Sequence, residues 1–270
     1  MVIGGIDDMK HADKCTLATR CKLANSESCT SHCGAYIAMH GLSGLGGRVG
    51  AANIPRDYLS ITMTNSPVRG SQKAVYKAAD KYATTFDRQF EDNGDRVKSL
   101  YLYSDSPGTG KTTTAIAILN EWIVQHYLGS LKRGQEPKMK PALFFDVNEF
   151  QSEYNLATMS KSDSDMDRIK AKITEAMKAP FLVLDDIGVR SATEAFRAYV
   201  HMIINHRTAN AMPTVYTSNF PIVSDVAMNQ RIEANKPYDM LDVFDKRLQD
   251  RMRDMCLSVT FEGESKRGIR

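Results

Sequence analysis

Leu100-Tyr-Leu-Tyr-Ser-Asp-Ser-Pro-Gly-Thr-Gly-Lys-Thr-Thr-Thr114 decides the fold of this 270-residue chain. An apolar run, a glycine turn and an immediate helical pattern (Ala115, Ile116, Leu119, Trp122, Ile123) read as strand, tight loop and helix start. That order suits a nucleoside triphosphate. Backbone N–H groups of the loop and of the helix N-terminus point at the phosphates, Lys111 reaches the β/γ pair, and the Thr112 hydroxyl holds Mg²⁺. The cradle is predicted to comprise Ser106, Pro107, Gly108, Thr109, Gly110, Lys111, Thr112 and Thr113. One position departs from the usual G-x-x-x-x-G-K-[ST]: Asp105 stands where the first glycine is expected. Its carboxylate lies near the phosphates unless the side chain points away or caps a turn.

Two more strand ends complete such a site. Phe181-Leu-Val-Leu-Asp-Asp-Ile-Gly188 is an apolar run closing on two acids, the signature of a buried parallel strand that delivers carboxylates to the ligand end of a sheet. Asp185 is assigned to the Mg²⁺ shell and Asp186 to orienting or deprotonating the attacking water. Pro213-Thr-Val-Tyr-Thr-Ser-Asn219 is another strand, whose terminal Asn219 amide can sit between the γ-phosphate and that water. Further strands are expected at Ala142 to Val147 and Leu257 to Phe261, and helices at Thr112 to about Leu128, Thr193 to Thr208 and Asp242 to Arg253. Trp122, the single tryptophan, reads as core. Ser160 to Arg168 reads as an exposed turn between helices. The last helix carries Arg247, Arg251 and Arg253. In an assembling ATPase, such a helix can project an arginine into a neighbour's site.

Composition sets the class. Hydrophobic residues at 42% and charged residues at 25% are ordinary globular usage, and no apolar run approaches the roughly 18 residues of a spanning helix. The beginning, Met-Val-Ile-Gly-Gly-Ile-Asp-Asp, lacks a basic region followed by an apolar core, so a cytoplasmic protein without membrane contact is expected. A net charge of +3 permits nucleic acid as a partner without requiring it. Four of the five cysteines, Cys15, Cys21, Cys29 and Cys33, are separated by five, seven and three residues. Clustered so in a cytosolic chain they suggest a tetrahedral Zn²⁺ site, with a Cys₃His set including His32 as the alternative and His11 and His40 nearby. The five glycines from Gly41 to Gly50 read as a loop or linker, Ser71 to about Phe90 as a helix with apolar Ala74, Val75, Ala78, Ala79, Tyr82 and Phe86 at helical spacing, and Asn93-Gly94-Asp95 as a break.

With the glycine loop, the Asp185-Asp186-Ile-Gly strand end, Thr217-Ser-Asn219 and the Asp250-Arg251-Met-Arg helix in this order, the chain resembles the DnaC/DnaI-type helicase loaders of the AAA+ class, phage-borne members most of all. The resemblance runs from about Val97 to Arg270. It implies an α/β P-loop ATPase with a parallel five-strand sheet over residues 97–270, a linker helix over 70–96, and a helicase-docking, zinc-binding module over 1–69. Lys111, Thr112, Asp185 and Asn219 match nucleotide-site positions. Arg251 matches an arginine finger supplied in trans, with Arg247 and Arg207 as competitors, and Arg267 matches a sensor arginine. The implied activity is ATP-dependent delivery of a DnaB-type replicative helicase onto single-stranded DNA, with self-association into a ring or spiral. ATP, Mg²⁺ and Zn²⁺ are the implied cofactors, in a bacterial cytoplasm that includes that of a phage-infected host. The alternatives are an IstB-like transposition helper on the same ATPase and an adaptor that binds nucleotide without hydrolysing it.

Overall fold

Five short apolar runs, each bounded by turn-forming residues, pair as one parallel sheet. The structure, a computed structural model, describes residues 10–91, 96–188, 193–222 and 246–265. The strands are β1 (Ser99–Tyr103), β2 (Leu143–Asp146), β3 (Leu182–Asp185), β4 (Thr214–Ser218) and β5 (Cys256–Thr260), in spatial order β2-β3-β4-β1-β5. Register places Leu100 between Val215 and Leu257, and Asp146 beside Asp185. The five parallel strands expected from the sequence are all present. Strands β3 and β4 are buried at every position, as parallel strands covered on both faces must be.

The helices are α1 (Gly34–His40), α2 (Gly47–Ala51), α3 (Lys73–Ala83), α4 (Lys111–Lys132), α5 (Val147–Ser160), α6 (Asp163–Lys178), α7 (Glu194–Ala209) and α8 (Lys246–Met255). On one face of the sheet, α5, α6, α7 and α8 close a core that includes Tyr101, Phe150, Phe196 and Met252. On the other, α4 packs beneath α3 and the N-terminal segment, and that core runs from Leu17 through Met39, Val68 and Trp122 to Phe261. Trp122 is core as expected: it stacks on Phe181 and donates its indole N–H to the Pro141 carbonyl at 3.1 Å. The helix carrying it extends past Leu128 to Lys132, and its outward positions Ala117, Ile118 and Val124 are buried too. A helix apolar on all sides needs a second cover, and residues 10–68 supply it.

Packing therefore does not stop at residue 69. The expected glycine linker is folded in. Gly47 begins α2 at φ +59, with its missing Cβ position 2.5 Å from the Met39 carbonyl carbon, so neither a side chain nor a different backbone fits there. The next residue, Arg48, is buried and donates to the carbonyls of Ala38 (2.8 Å), Pro137 (2.8 Å) and Lys138 (3.0 Å). The loop's glycines permit close packing here and do not mark flexibility. Ala52 then accepts from the Phe144 N–H at 2.7 Å, covering the edge of β2.

The turn between α5 and α6 is shorter than the Ser160 to Arg168 stretch suggested. Lys161 takes φ +52, and Arg168 already lies inside α6. Residues 242–245 of the expected arginine helix and Asn93-Gly94-Asp95 lie outside the described residues.

Arg207, considered above as a trans arginine, has a different role. It is fully buried. Its guanidinium donates to the carbonyls of Ala176 (2.9 Å), Ala179 (2.8 Å) and Pro213 (2.9 Å) and to the Thr214 hydroxyl (2.7 Å). Burial pulls its pKa down to about 10, and the carbonyls solvate the charge in place of water. It cannot reach a neighbouring subunit. Arg207→Ala would strand those acceptors and open a cavity between α6 and β4. A loss of about 3 kcal/mol or more is expected in urea unfolding, and a loss below about 1 kcal/mol would contradict this role.

Candidate functional site

The site forms at the C-terminal ends of β1, β3 and β4, where the strands stop and their helices have not yet begun. The loop after β1 turns on Gly108 (φ +77) and Gly110 (φ +103), so both glycines stand in the left-handed region that other residues avoid. Asp105 is exposed, and the Ser106 N–H bonds the Ser104 Oγ at 3.2 Å. That hydroxyl closes the turn, and the departure from the glycine pattern falls where no left-handed residue is needed. Gly110 caps α4, whose first turn carries Lys111, Thr112 and Thr113.

Three sequence-distant motifs meet here. Lys111 Nζ donates to Asn219 Oδ1 at 2.5 Å and to the Ser106 carbonyl at 3.2 Å. Thr112 Oγ1 donates to both carboxylate oxygens of Asp185, at 3.1 and 3.0 Å. Lys111, Thr112, Asp185 and Asn219 are thus brought together as the sequence pattern required. Asn219 is held by its neighbours: Tyr101 Oη donates to the Phe220 carbonyl at 2.6 Å, and the Phe220 N–H bonds the Ser218 Oγ at 3.0 Å.

The two acids separate. Asp185 faces the phosphate loop. Asp186, at φ +56, turns its carboxylate to the Nδ2 of Asn148 at 2.8 Å. A left-handed aspartate costs roughly 1 kcal/mol or more, so the neighbouring contacts must hold it. Thr217 supplies one of them, because its hydroxyl donates to Asp185 at 2.6 Å and accepts the Asp186 N–H at 2.8 Å. Sequence reading missed both Thr217 and Asn148 as site residues. The signal for Thr217 was register: Leu184 pairs with Tyr216, which sets Asp185 beside Thr217. Asn148 lies two residues past β2, in the first turn of α5, where Asp146 caps its N–H at 2.8 Å.

The Asp185 carboxyl is pushed up to about 6 by burial, with Asp146 and Asp186 adding to the rise against the hydroxyls of Thr217 and Thr112. A buried carboxylate with excess negative neighbours and oriented hydroxyl donors fits a divalent cation, which would replace the missing positive charge. The remaining assigned residues stand elsewhere. Arg251 is exposed on α8 and bonds Asn205 of α7, Arg247 is exposed on the same helix, and Arg267 lies outside the described residues.

Cys15, Cys21, Cys29 and Cys33 line one cavity of about 220 Å³ beneath Tyr127 and Leu131 of α4. All four are free thiols. Burial raises the Cys15 thiol pKa, helped by the other three. The histidine in the cavity wall is His11, whose buried Nε2 has no hydrogen-bond partner, whereas the expected substitute His32 is exposed and not in the wall. Among the described residues no three His, Cys, Asp or Glu side chains come close enough to hold a metal ion. The donors line one cavity without being drawn into a single coordination sphere.

In the protein free of nucleotide and Mg²⁺, a carboxyl raised from 3.8 to about 6 contributes stability that is fully present below about pH 4 and lost as pH rises through about 6. The corresponding energy is about 3 kcal/mol at most. In EDTA, Asp185→Asn is therefore expected to melt higher than the wild type at pH 7.5, the gain shrinking toward pH 4.5. A gain that grows on acidification would have the wrong sign.

No family model matches the chain. The chain is 26% identical over 188 residues to the replicative helicase loader DnaI of Bacillus subtilis, covering 69% of this chain and 53% of that protein. It is 25% identical over 181 residues to the replicative helicase loader DnaC of Escherichia coli, covering 67% and 61%. The chain thus spans between about half and three fifths of the curated relatives it matches. Among solved structures, a DnaI crystal structure superposes with a TM-score of 0.50 at 25% identity, over 79% of this chain and 94% of that one. A DnaC helicase loader superposes with a TM-score of 0.51 at 19% identity, over 77% and 100%, a likeness of fold. In sequence and in fold, the chain is similar to the helicase loaders DnaI and DnaC.

Proposed function

We propose that this chain is an ATP-dependent helicase loader that engages a DnaB-type replicative helicase and delivers it onto single-stranded DNA. The observation that carries the reading is the convergence of Lys111, Thr112, Asp185 and Asn219 through direct hydrogen bonds. Such a set binds a nucleoside triphosphate, and the relationship to DnaI and DnaC supplies the helicase as partner. Lys111 and the loop N–H groups would hold the β- and γ-phosphates, and Thr112 and Asp185 would hold Mg²⁺. Bound Mg²⁺ would neutralise charge on the phosphate oxygens. Asn219 and Asp186 would orient the attacking water, and Asn148 sets where the Asp186 carboxylate stands. Arg251, exposed on α8, is the arginine for a neighbouring subunit's site, which makes hydrolysis depend on assembly into a ring or spiral, and Arg267 would contact the subunit's own nucleotide.

The cysteine cavity is the proposed zinc site of the helicase-docking segment. Four thiols and a partnerless His11 nitrogen around one cavity support it, and binding would require them to close inward. Purified protein is expected to carry about one equivalent of zinc by elemental analysis. Protein without zinc and with four rapidly titrating thiols would remove the site.

The reading is tested by ATP binding and turnover with and without single-stranded DNA, alongside co-elution with the host's replicative helicase. Lys111→Ala is expected to abolish ATP binding. Arg251→Ala should keep the affinity and lose DNA-stimulated turnover by about 10³-fold. Asn148→Ala should change turnover while leaving ATP affinity within about twofold, because it touches Asp186 and no part of the phosphate loop. Normal turnover in Arg251→Ala would reassign the trans arginine to Arg247. A wild-type protein that binds ATP and neither turns it over nor retains helicase would favour the adaptor.

A further inference from the structure

Val68, Gln72 and Tyr76 lie four residues apart where the chain runs into α3, and each meets the phosphate loop or the helix it launches. A Cβ on Gly110 would stand 2.9 Å from Val68 Cγ1. The Tyr76 hydroxyl accepts from Thr114 Oγ1 at 3.4 Å. Between them, the Gln72 amide donates to the Thr109 carbonyl at 3.3 Å and to the Glu262 carbonyl at 2.7 Å. Gln72 is only 5% exposed. Both neighbours are acceptors, so only the NH₂ end of the amide can face them, and its orientation is fixed by chemistry.

We infer that Gln72 is a positioning residue for the phosphate cradle, acting through the Thr109 carbonyl, and that it couples the cradle to the segment after β5. The inference rests on the nucleotide-binding reading above. The Thr109–Gly110 peptide is planar and trans, so its C=O and N–H point in opposite directions. Glycines in left-handed geometry stand on both sides of Thr109, at φ +77 and +103, and glycine resists rotation of the adjoining peptide least of all residues. Something outside the loop has to choose the peptide's orientation. Gln72 does so by holding the carbonyl beneath the loop, which aims the Gly110 N–H outward to where phosphate oxygens bind. Thr109 itself adds no competing restraint, because its buried hydroxyl has no partner.

The second proton of the same NH₂ gives the arrangement its reach. Glu262 follows β5, the edge strand paired with β1. Displacing that segment would draw the amide away from Thr109, whose bond is the longer of the two. A contact made at the C-terminal end of the chain therefore changes how firmly the Gly110 N–H is aimed, and nucleotide binding in turn stiffens the segment after β5.

Gln72→Met keeps the side chain's length and removes both donors, and Gln72→Glu sets an acceptor against two carbonyls. ATP affinity is measured by equilibrium binding well below the melting temperature, with melting recorded in parallel. Gln72→Met is expected to bind ATP about tenfold more weakly, and Gln72→Glu more weakly still, with melting temperatures within a few degrees of wild type. A purely structural glutamine would give the reverse: a lowered melting temperature with unchanged affinity, which overturns the inference. Should either variant fail to fold, amide hydrogen exchange in the wild-type protein decides: ATP should slow exchange at Gly110 and in residues 261–263 together. Protection at Gly110 without the second segment overturns the coupling, and no protection at Gly110 overturns the aiming. Wild-type protein that binds no ATP at all would instead sink the nucleotide-binding reading.

Discussion

The ionised carboxylate of Asp185, buried at the end of β3, is the constraint around which the site is built. A carboxylate withdrawn from water has to be solvated by the protein, and here two hydroxyls do it, Thr112 from the first turn of α4 and Thr217 from the end of β4. Those two contacts tie two strands and a helix to one point. Because Thr217 also accepts the Asp186 N–H, the same hydroxyl fixes the turn that sends Asp186 toward Asn148. The solvation is incomplete, as the rise toward pKa 6 shows, and incomplete solvation of a negative charge is what a cation site requires.

Around that point, stiffness comes from layers above and below α4. The sheet supports it from one side, and α1, α2, α3 and the turns between them cover the other, so the helix that presents Lys111 and Thr112 is held all round. The cover is fixed at its far end by Arg48, which clamps the connection into β2, and at its near end by the stripe of Val68, Gln72 and Tyr76. The N-terminal segment therefore takes part in the geometry of the phosphate loop. A partner bound to it would act on the nucleotide site through packed contacts.

Much of this was legible in the sequence, because the strands are short continuous apolar runs and the motif residues sit at their ends. That Lys111, Thr112, Asp185 and Asn219 would come together was readable from type and order. What the sequence hid depended on pairing across the chain. Thr217 acquires its role only once β3 and β4 are in register, and Asn148 only once β2 lies beside β3. The glycines from 41 to 50 carried the signature of a linker, yet glycine also permits close packing, and composition cannot tell the two uses apart. Arg207 offered a related ambiguity. An arginine at the end of an amphipathic helix reads as surface, and only the acceptors around it show why a charge can be buried there.

The aspartate in the phosphate loop can be understood in the same terms. A glycine is demanded where φ is positive or where another backbone or side chain leaves no room for Cβ. In this loop both demands fall late: Gly108 and Gly110 carry the left-handed angles, and Gly110 is crowded by Val68. At position 105 the chain is exposed and outside the left-handed region, and the turn is closed from Ser104. The cost of Asp105 is therefore electrostatic and not conformational. An exposed carboxylate acts on the phosphates through solvent, where screening weakens it, whereas Lys111 acts at direct contact. Gly108 and Gly110 keep the left-handed turns of the loop, and in the proposed nucleotide site the extra negative charge raises the weight carried by Lys111 and by the aimed N–H of Gly110.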